Sequence, residues 1–364
     1  MLSLHACSRD RIHGTTDLWI YFPSDKRRWL LLFIGLYVHI FFKRKVRIER
    51  KNRKRMVDIS IVTPTYNRST LLPRAWLSIK DQKANFQWVI ADDGSSDDTK
   101  DVVDGFKDTR IVYLRFRDNR GVNAVRNAGA ALALGRYVVF LDSDDELCPD
   151  ALRSMIGVMD DANDDIGVAL FPCVIAATGK QNVQVADGKV LDERDILCHG
   201  VLRRGEMIYV YRREVFDHFL LPEGLRGCEQ VFVYEISKRF NFLAVNKPLR
   251  VIHRQSDNLS NAETTIARSR DIARSYEMIL ENHKDILKHD PFSTAQYLKK
   301  ALYRYGVARS YQDVWRIYTR LIHKESSLQK RVEATAMLVV CLVLSTFLER
   351  WRINRLNNQF MDVR

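Results

Sequence analysis

The chain contains no CxxC pair. Its six cysteines, Cys7, Cys148, Cys173, Cys198, Cys228 and Cys341, are scattered along 364 residues. That spacing excludes a disulfide framework and a structural zinc site, and free thiols suit a reducing cytosol. Internal repeats and low-complexity stretches are also missing. The apolar run at residues 30–42 (LLLFIGLYVHIFF) falls short of the roughly 20 residues that cross a bilayer comfortably. No small-residue cleavage site follows it, which argues against a secretory signal.

Positive charge is plentiful but local. Residues 1–57 hold 14 Lys/Arg against 4 Asp/Glu, so this arm carries +10 of the chain's net +13. Nucleic acid is therefore not an expected partner, because the remainder is close to neutral. Lys26, Arg27 and Arg28 precede the apolar run, and Lys43, Arg44, Lys45 and Arg47 follow it. Such a segment reads as an interfacial or partly inserted membrane contact whose flanking cations meet anionic headgroups. The plain alternative is a buried helix with basic flanks. A second apolar run, residues 337–348 (MLVVCLVLSTFL), is followed by Glu349, Arg350, Arg352 and Arg355. It reads equally as another membrane contact or as a helix packed on the rest of the chain.

Between these runs the pattern alternates strand and helix. Strands are expected at residues 58–63, 86–91, 111–116 and 137–141, and helices at 71–80, 97–106 and 121–134. Four strands separated by helices imply an α/β fold with a mostly parallel sheet covered on both faces. Ligands of such sheets bind beyond the carboxyl ends of the strands. Those ends carry Thr63-Pro64-Thr65, Asp92-Asp93-Gly94 and Asp142-Ser143-Asp144. Carboxylates at i and i+2 leaving a strand share a cleft and repel unless a cation lies between them. Mg²⁺ or Mn²⁺, shared with substrate phosphates, suits that donor set. Further on, short strands are expected at 241–245 and 250–253, and helical pattern dominates from 262 onward. The expected organisation is a basic arm at 1–56, a catalytic domain at 57–262 and a helical region at 263–364.

Four segments in order resemble the family-2 glycosyltransferases. They are Ile59-Ser60-Ile61-Val62-Thr63-Pro64-Thr65-Tyr66-Asn67-Arg68, Asp92-Asp93-Gly94-Ser95-Ser96-Asp97-Asp98-Thr99, the stretch from Asn119 to Gly129 (NRGVNAVRNAG), and Phe140 to Asp145, which is similar to the family's DXD motif. The resemblance is strong over residues 57–145 and weaker to about 260. It implies the Rossmann-like GT-A fold and transfer of a sugar from a nucleotide diphosphate donor, with a UDP-sugar favoured. The turn holding Pro64, Thr65 and Tyr66 would offer backbone groups to the base and ribose. Asp93, with Asp92 as its alternative, would accept from the base N–H; an Asx turn with a helix cap is the other reading of this pair. Arg126 would reach the pyrophosphate. Gly121 and Gly129 suit close backbone approach, with an ordinary turn glycine as the plainer reading. The resemblance places Asp142 at the ribose and metal region and Asp144 on the ion itself; Asp145 would orient either the acceptor or only its own neighbours.

The family's base comes from a Glu-Asp pair opening a later helix. The corresponding stretch here runs from Arg226 to Phe232 (RGCEQVF), with Gln230 where Asp is common. Glu229 is the candidate base, and Glu223 and Glu235 are its alternatives. His253, within a segment similar to one that closes over the diphosphate in relatives, is a candidate metal or phosphate ligand, against the plainer reading of a structural histidine. Gln312-Asp313-Val314-Trp315-Arg316 does not match the Q-x-x-R-W of processive synthases, so one sugar per encounter is expected. The whole reads as a metal-dependent, inverting, non-processive transferase at the cytoplasmic face of a membrane, acting on a lipid-linked or other glycan acceptor in polysaccharide biosynthesis. Two alternatives stand beside it. A sugar-nucleotide nucleotidyltransferase would show a Gly-rich signature after the first strand, where Thr63-Pro64-Thr65-Tyr66 lies. A catalytically silent membrane adaptor of the same fold is suggested by Gln230.

Overall fold

The computed structural model describes residues 57–198, 205–225, 228–253, 262–324 and 327–339. The basic arm, most of the second apolar run, Arg226 and Gly227, and the residues after His253 lie outside this set. Residues 55–364 cluster as one compact unit.

Eleven strands are described: β1 (Ile59–Thr65), β2 (Phe86–Asp92), β3 (Ile111–Arg115), β4 (Tyr137–Phe140), β5 (Glu146–Leu147), β6 (Ile166–Ile175), β7 (Lys180–Gln181), β8 (Val190–Leu191), β9 (Met207–Arg212), β10 (Asn241–Ala244) and β11 (Arg250–Ile252). The main sheet runs β3-β2-β1-β4-β9-β6-β10-β8. Its first four strands are parallel, as the alternating pattern anticipates. Beyond β4 the pairings to β9 and from β9 to β6 are antiparallel, while β10 returns parallel to β6. β11 lies parallel to the far end of β6 and antiparallel to β5. That pairing brings the segment after the acidic cluster back beside it.

β1 extends two residues past its sequence-based end and takes in Pro64, which pairs with Ala91. Proline is tolerated there because the β1–β4 ladder stops at Val62 and Phe140. Its missing N–H therefore falls where no partner strand remains.

Twelve helices are described: α1 (Leu72–Ile79), α2 (Thr99–Gly105), α3 (Val122–Leu132), α4 (Ala151–Asp161), α5 (Glu193–Cys198), α6 (Val215–His218), α7 (Glu229–Ser237), α8 (Ala262–Asn282), α9 (Lys284–Leu287), α10 (Pro291–Val307), α11 (Tyr311–Lys324) and α12 (Leu328–Val339). On one sheet face Ile59, Ile61, Trp88 and Ile90 pack with Leu72, Ala75 and Ile79 of α1 and with Leu152 and Met155 of α4. Trp88 is wholly buried. It stacks on Trp76 at 5.4 Å between ring centroids and on Phe106 at 5.8 Å, and its Nε1 donates to Thr63 Oγ1. On the other face α3 closes onto Val62 and Val89. Gly129 permits that approach, since a Cβ there would lie 2.4 Å from Val62 Cγ1. Gly121 follows the turn reading instead. No atom crowds its Cβ direction, but its φ of +93° favours glycine at the turn into α3.

A second core runs from β6, β9 and β10 through Phe232, Tyr234 and Ile236 of α7 into α8, α10 and α11, where Ile279, Tyr297, Leu298, Val314, Ile317 and Leu321 are buried. Within the helical pattern expected from 262 onward, the chain breaks at Arg309, whose φ is +55°, and so divides into α10 and α11.

Candidate active site

The carboxyl ends of β1, β2 and β4 lie side by side, so their polar residues meet. Asp92 is fully buried. Its carboxylate accepts from Ser95 N at 2.8 Å, Ser95 Oγ at 2.6 Å and the Tyr113 hydroxyl, with Arg115 Nε 3.8 Å away. Burial and this carboxylate together push the Tyr113 phenol well above its ordinary range. Asp92 thus builds the turn that presents its neighbour, as in the Asx-turn reading. Asp93 accepts from the backbone N–H groups of Arg120 and Gly121 at 2.7 and 2.8 Å, which latches the β3–α3 loop to the end of β2. Its own N–H donates to Thr65 O. Thr65 Oγ1 is buried without a hydrogen-bond partner, and Tyr66 next to it is 45% exposed. An unpaired buried hydroxyl beside an exposed ring on this rim fits a polar ligand that supplies the missing bond.

Sequence reasoning did not single out Asn67 and Ser95, which stitch the first two loops together. Asn67 N donates to Ser95 Oγ and Ser96 N donates to Asn67 Oδ1, both at 2.8 Å, while Ser69 N donates to Asp97. Asn67 takes φ +52°, a left-handed conformation that asparagine adopts more readily than most residues. A Tyr-Asn after the first strand, facing a Gly-Ser-Ser after the second, was the available signal.

Beyond β4, Arg126 is the hub. From α3 its Nη2 donates to Asp142 Oδ1 at 2.6 Å, and its Nη1 donates to Glu229 Oε1, at the start of α7, at 2.9 Å. Its Nε is buried and unpartnered, and its charge lies 5.7 Å from the centre of the Phe140 ring. Burial alone would raise the Asp142 carboxyl, but Arg126 and Arg250 outweigh it and hold the carboxyl below its usual value. Arg126, Asp142 and Glu229, proposed from three separate segments, are therefore in direct contact.

Arg250, on β11, is a site residue the sequence reading missed. Buried to 8% exposure, it lies 3.8 Å from Asp142, 3.5 Å from Asp145 and 3.6 Å from Glu206, and its Nε donates to Cys173 Sγ. Asp145 is buried as well, and its carboxyl is raised to about 7 by desolvation and by Asp142 and Asp144, against the pull of Arg250 and the His253 N–H.

Asp144 is half-buried. Its carbonyl accepts from Arg74, and no hydrogen bond or ion pair to its carboxylate is found among the described residues. His253 is placed beside this cluster rather than on Asp144: its Nε2 lies 2.5 Å from Glu146 Oε1, and its N–H donates to Asp145 Oδ1. Among the described residues no three acidic, His or Cys side chains group as a complete metal cage. Both Asp142 oxygens face arginines, Oδ1 Arg126 and Oδ2 Arg250, whereas the Asp144 carboxylate has no such described partner.

Of the other candidate bases, Glu223 pairs with Arg120 and accepts from Asn127. Glu235 lies at the far end of α7, engaged by His283, Lys238 and Asn282. Asn127 also holds Leu221 through both backbone groups, and Asn123 donates to Pro222 O, so α3 carries the segment that leads to Glu229.

The profile described as Glycosyl transferase family 2 matches residues 60–220. The GalNAc(5)-diNAcBac-PP-undecaprenol beta-1,3-glucosyltransferase of Campylobacter jejuni is 27% identical over 312 residues, covering 81% of this chain and 96% of that protein. The Escherichia coli protein WfaP, a UDP-Glc:alpha-D-GlcNAc-diphosphoundecaprenol beta-1,3-glucosyltransferase, is 32% identical over 103 residues, 28% of this chain and 41% of its own length. Among solved structures, S. aureus TarS 1-349 in complex with UDP-GlcNAc superposes with a TM-score of 0.51 at 18% identity, covering 82% of this chain and 92% of that one. At that identity the likeness is one of fold.

Proposed function

The chain is a family-2 glycosyltransferase of the GT-A fold, and on that premise we propose that it moves a sugar from a UDP-sugar onto a hydroxyl of a lipid-linked glycan, with inversion and one sugar per encounter. The observation that carries the reading is the contact chain Asp142–Arg126–Glu229, set at the same rim as Thr65 and Asp93. It joins the acidic strand end, where a cation-bound diphosphate would lie, to a carboxylate able to take a proton.

Each group has a task that its surroundings support. Thr65 Oγ1 and the Asp93 carboxylate form the base and ribose end, fixed by the stitched loops. Asp142 and Asp144 would hold the divalent cation such enzymes commonly use, and that ion would neutralise the departing diphosphate. Arg126, buried between two carboxylates, fixes the direction of the Glu229 carboxylate and keeps a positive charge next to the diphosphate end. Glu229 Oε2, with no described partner, is open to the acceptor hydroxyl and takes its proton as the oxygen attacks the anomeric carbon. Attack opposite the leaving diphosphate inverts that centre. The acceptor class and the placement at the cytoplasmic face of a membrane draw support from the undecaprenol-linked substrates in the relatives' names and from the basic, apolar arm. No helix among the described residues is long and apolar enough to cross a membrane.

The test is a screen of nucleotide sugars with Mn²⁺ and a membrane extract as acceptor, read by diphosphate release. Glu229→Gln is expected to lower kcat by about 10²–10⁴-fold while sparing donor binding, and Asp144→Ala to weaken cation-dependent donor binding. Normal turnover in the first variant removes Glu229 as base. Turnover by neither the wild type nor its variants, with any donor, returns the adaptor reading.

A further inference from the structure

We propose that α11 and α12 present an aromatic and aliphatic face that docks on the surface of an anionic lipid bilayer. The inference sharpens the membrane part of the function proposed above by naming a surface for it. α11 carries two apolar stripes. Val314, Ile317 and Leu321 are fully buried and hold the helix to the core. Tyr311, Trp315 and Tyr318 follow at i, i+4 and i+7, a second stripe turned to one side of the first. Trp315 is 59% exposed and Tyr311 46%, while the Trp315 and Tyr318 rings lie 5.6 Å apart. The Tyr318 hydroxyl is 3.0 Å from Thr335 Oγ1, which joins the stripe to α12. There Val332 and Val339, one heptad apart, are 60% and 53% exposed, whereas Ala334 and Leu338 face inward.

Isolated exposed apolar side chains need no explanation, but a contiguous set on two adjoining helices does. Trp and Tyr favour the boundary between headgroups and acyl chains, where the ring is apolar on its body and polar at its tip. The charge balance selects the occupant. The two helices of this face, residues 311–339, hold five Lys/Arg against three Asp/Glu, a small excess of the sign that an anionic lipid surface attracts. The sequence then runs directly from α12 into the apolar stretch ending at Leu348. The Gln312–Arg316 segment, which fails as a processive-synthase motif, thereby gains a different use.

The test is hydroxyl-radical footprinting of the full chain with vesicles of phosphatidylglycerol and phosphatidylcholine, or of phosphatidylcholine alone. Oxidation of Trp315 and Tyr311 is expected to fall several-fold with the anionic vesicles only, while Leu77, 62% exposed on α1, stays equally labelled. Trp315→Ser combined with Tyr311→Ser should weaken vesicle partition at least about fivefold and leave circular dichroism and donor turnover unchanged. Sedimentation with vesicles while Trp315 remains fully labelled overturns this inference and leaves the membrane reading to the arm. Failure to sediment at all removes both membrane statements and leaves sugar transfer standing. Protection that grows with protein concentration without vesicles assigns the face to a second copy of the chain and overturns the proposal.

Discussion

A guanidinium with a carboxylate on either side does more than stabilise: at Arg126 it sets the spacing between the acidic strand end and the candidate base. Arg250 does comparable work at the other flank. Its contacts to Asp142, Asp145 and Glu206 make it a buried countercharge, and removing one member of such a set leaves a desolvated carboxylate unpaired. Arg250→Met is therefore expected to cost about 3–5 kcal/mol of stability, read as a lowered chemical-denaturation midpoint. A divalent cation should offset part of that loss, since it restores positive charge to the same acids. Arg126, Asp142, Asp93 and Glu229 were legible because each belongs to a segment with recognisable company. Arg250 was not. An arginine in a three-residue strand carries no local signal, and only the register of β11 against β5 and β6 brings it to the acids. Asn67, Asn123 and Asn127 were hidden for a related reason, since their partners lie 28 to about 100 residues away in sequence.

At the scale of elements, the first four strands could be read directly because parallel strands buried on both faces are short, nearly continuous apolar runs. The later strands could not be ordered that way. Whether β9 inserts between β4 and β6 depends on long-range pairing, which periodicity does not encode. The packing of α3 on β1 makes a sharp prediction. Gly129→Ala places a methyl against Val62 and should cost about 1–3 kcal/mol. Val62→Ala in the same chain should recover part of it, checked by thermal denaturation of the single and double variants. α7 is held at both ends, by Arg126 at Glu229 and by His283 at Glu235. Burial raises the Glu235 carboxyl, but the His283 ring 3.5 Å away and hydrogen bonds from Lys238 and Asn282 prevail and bring it to about 2. Because the folded value is depressed, this contribution to stability is complete above the ordinary glutamate range and is lost as pH falls toward 2. Glu235→Gln should flatten the acid limb of the stability curve between about pH 4.5 and 2, measured by denaturant midpoints across that interval.

At the scale of the molecule, the arm and the remainder carry separable properties. Removing residues 1–55 takes away most of the net positive charge, and vesicle partition should become weaker and less sensitive to salt. Unchanged partition on co-sedimentation at low and high ionic strength would count against the arm. The sequence suggested a boundary near residue 262. The core that runs from β6, β9 and β10 through α7 into α8, α10 and α11 has a consequence for how this enzyme can diversify. The carboxylate proposed to activate the acceptor rides on a helix whose inner face is lined by the C-terminal bundle. The two halves therefore cannot be exchanged between relatives as independent cassettes. A chimera joined near that boundary would inherit mismatched side chains directly beneath that carboxylate.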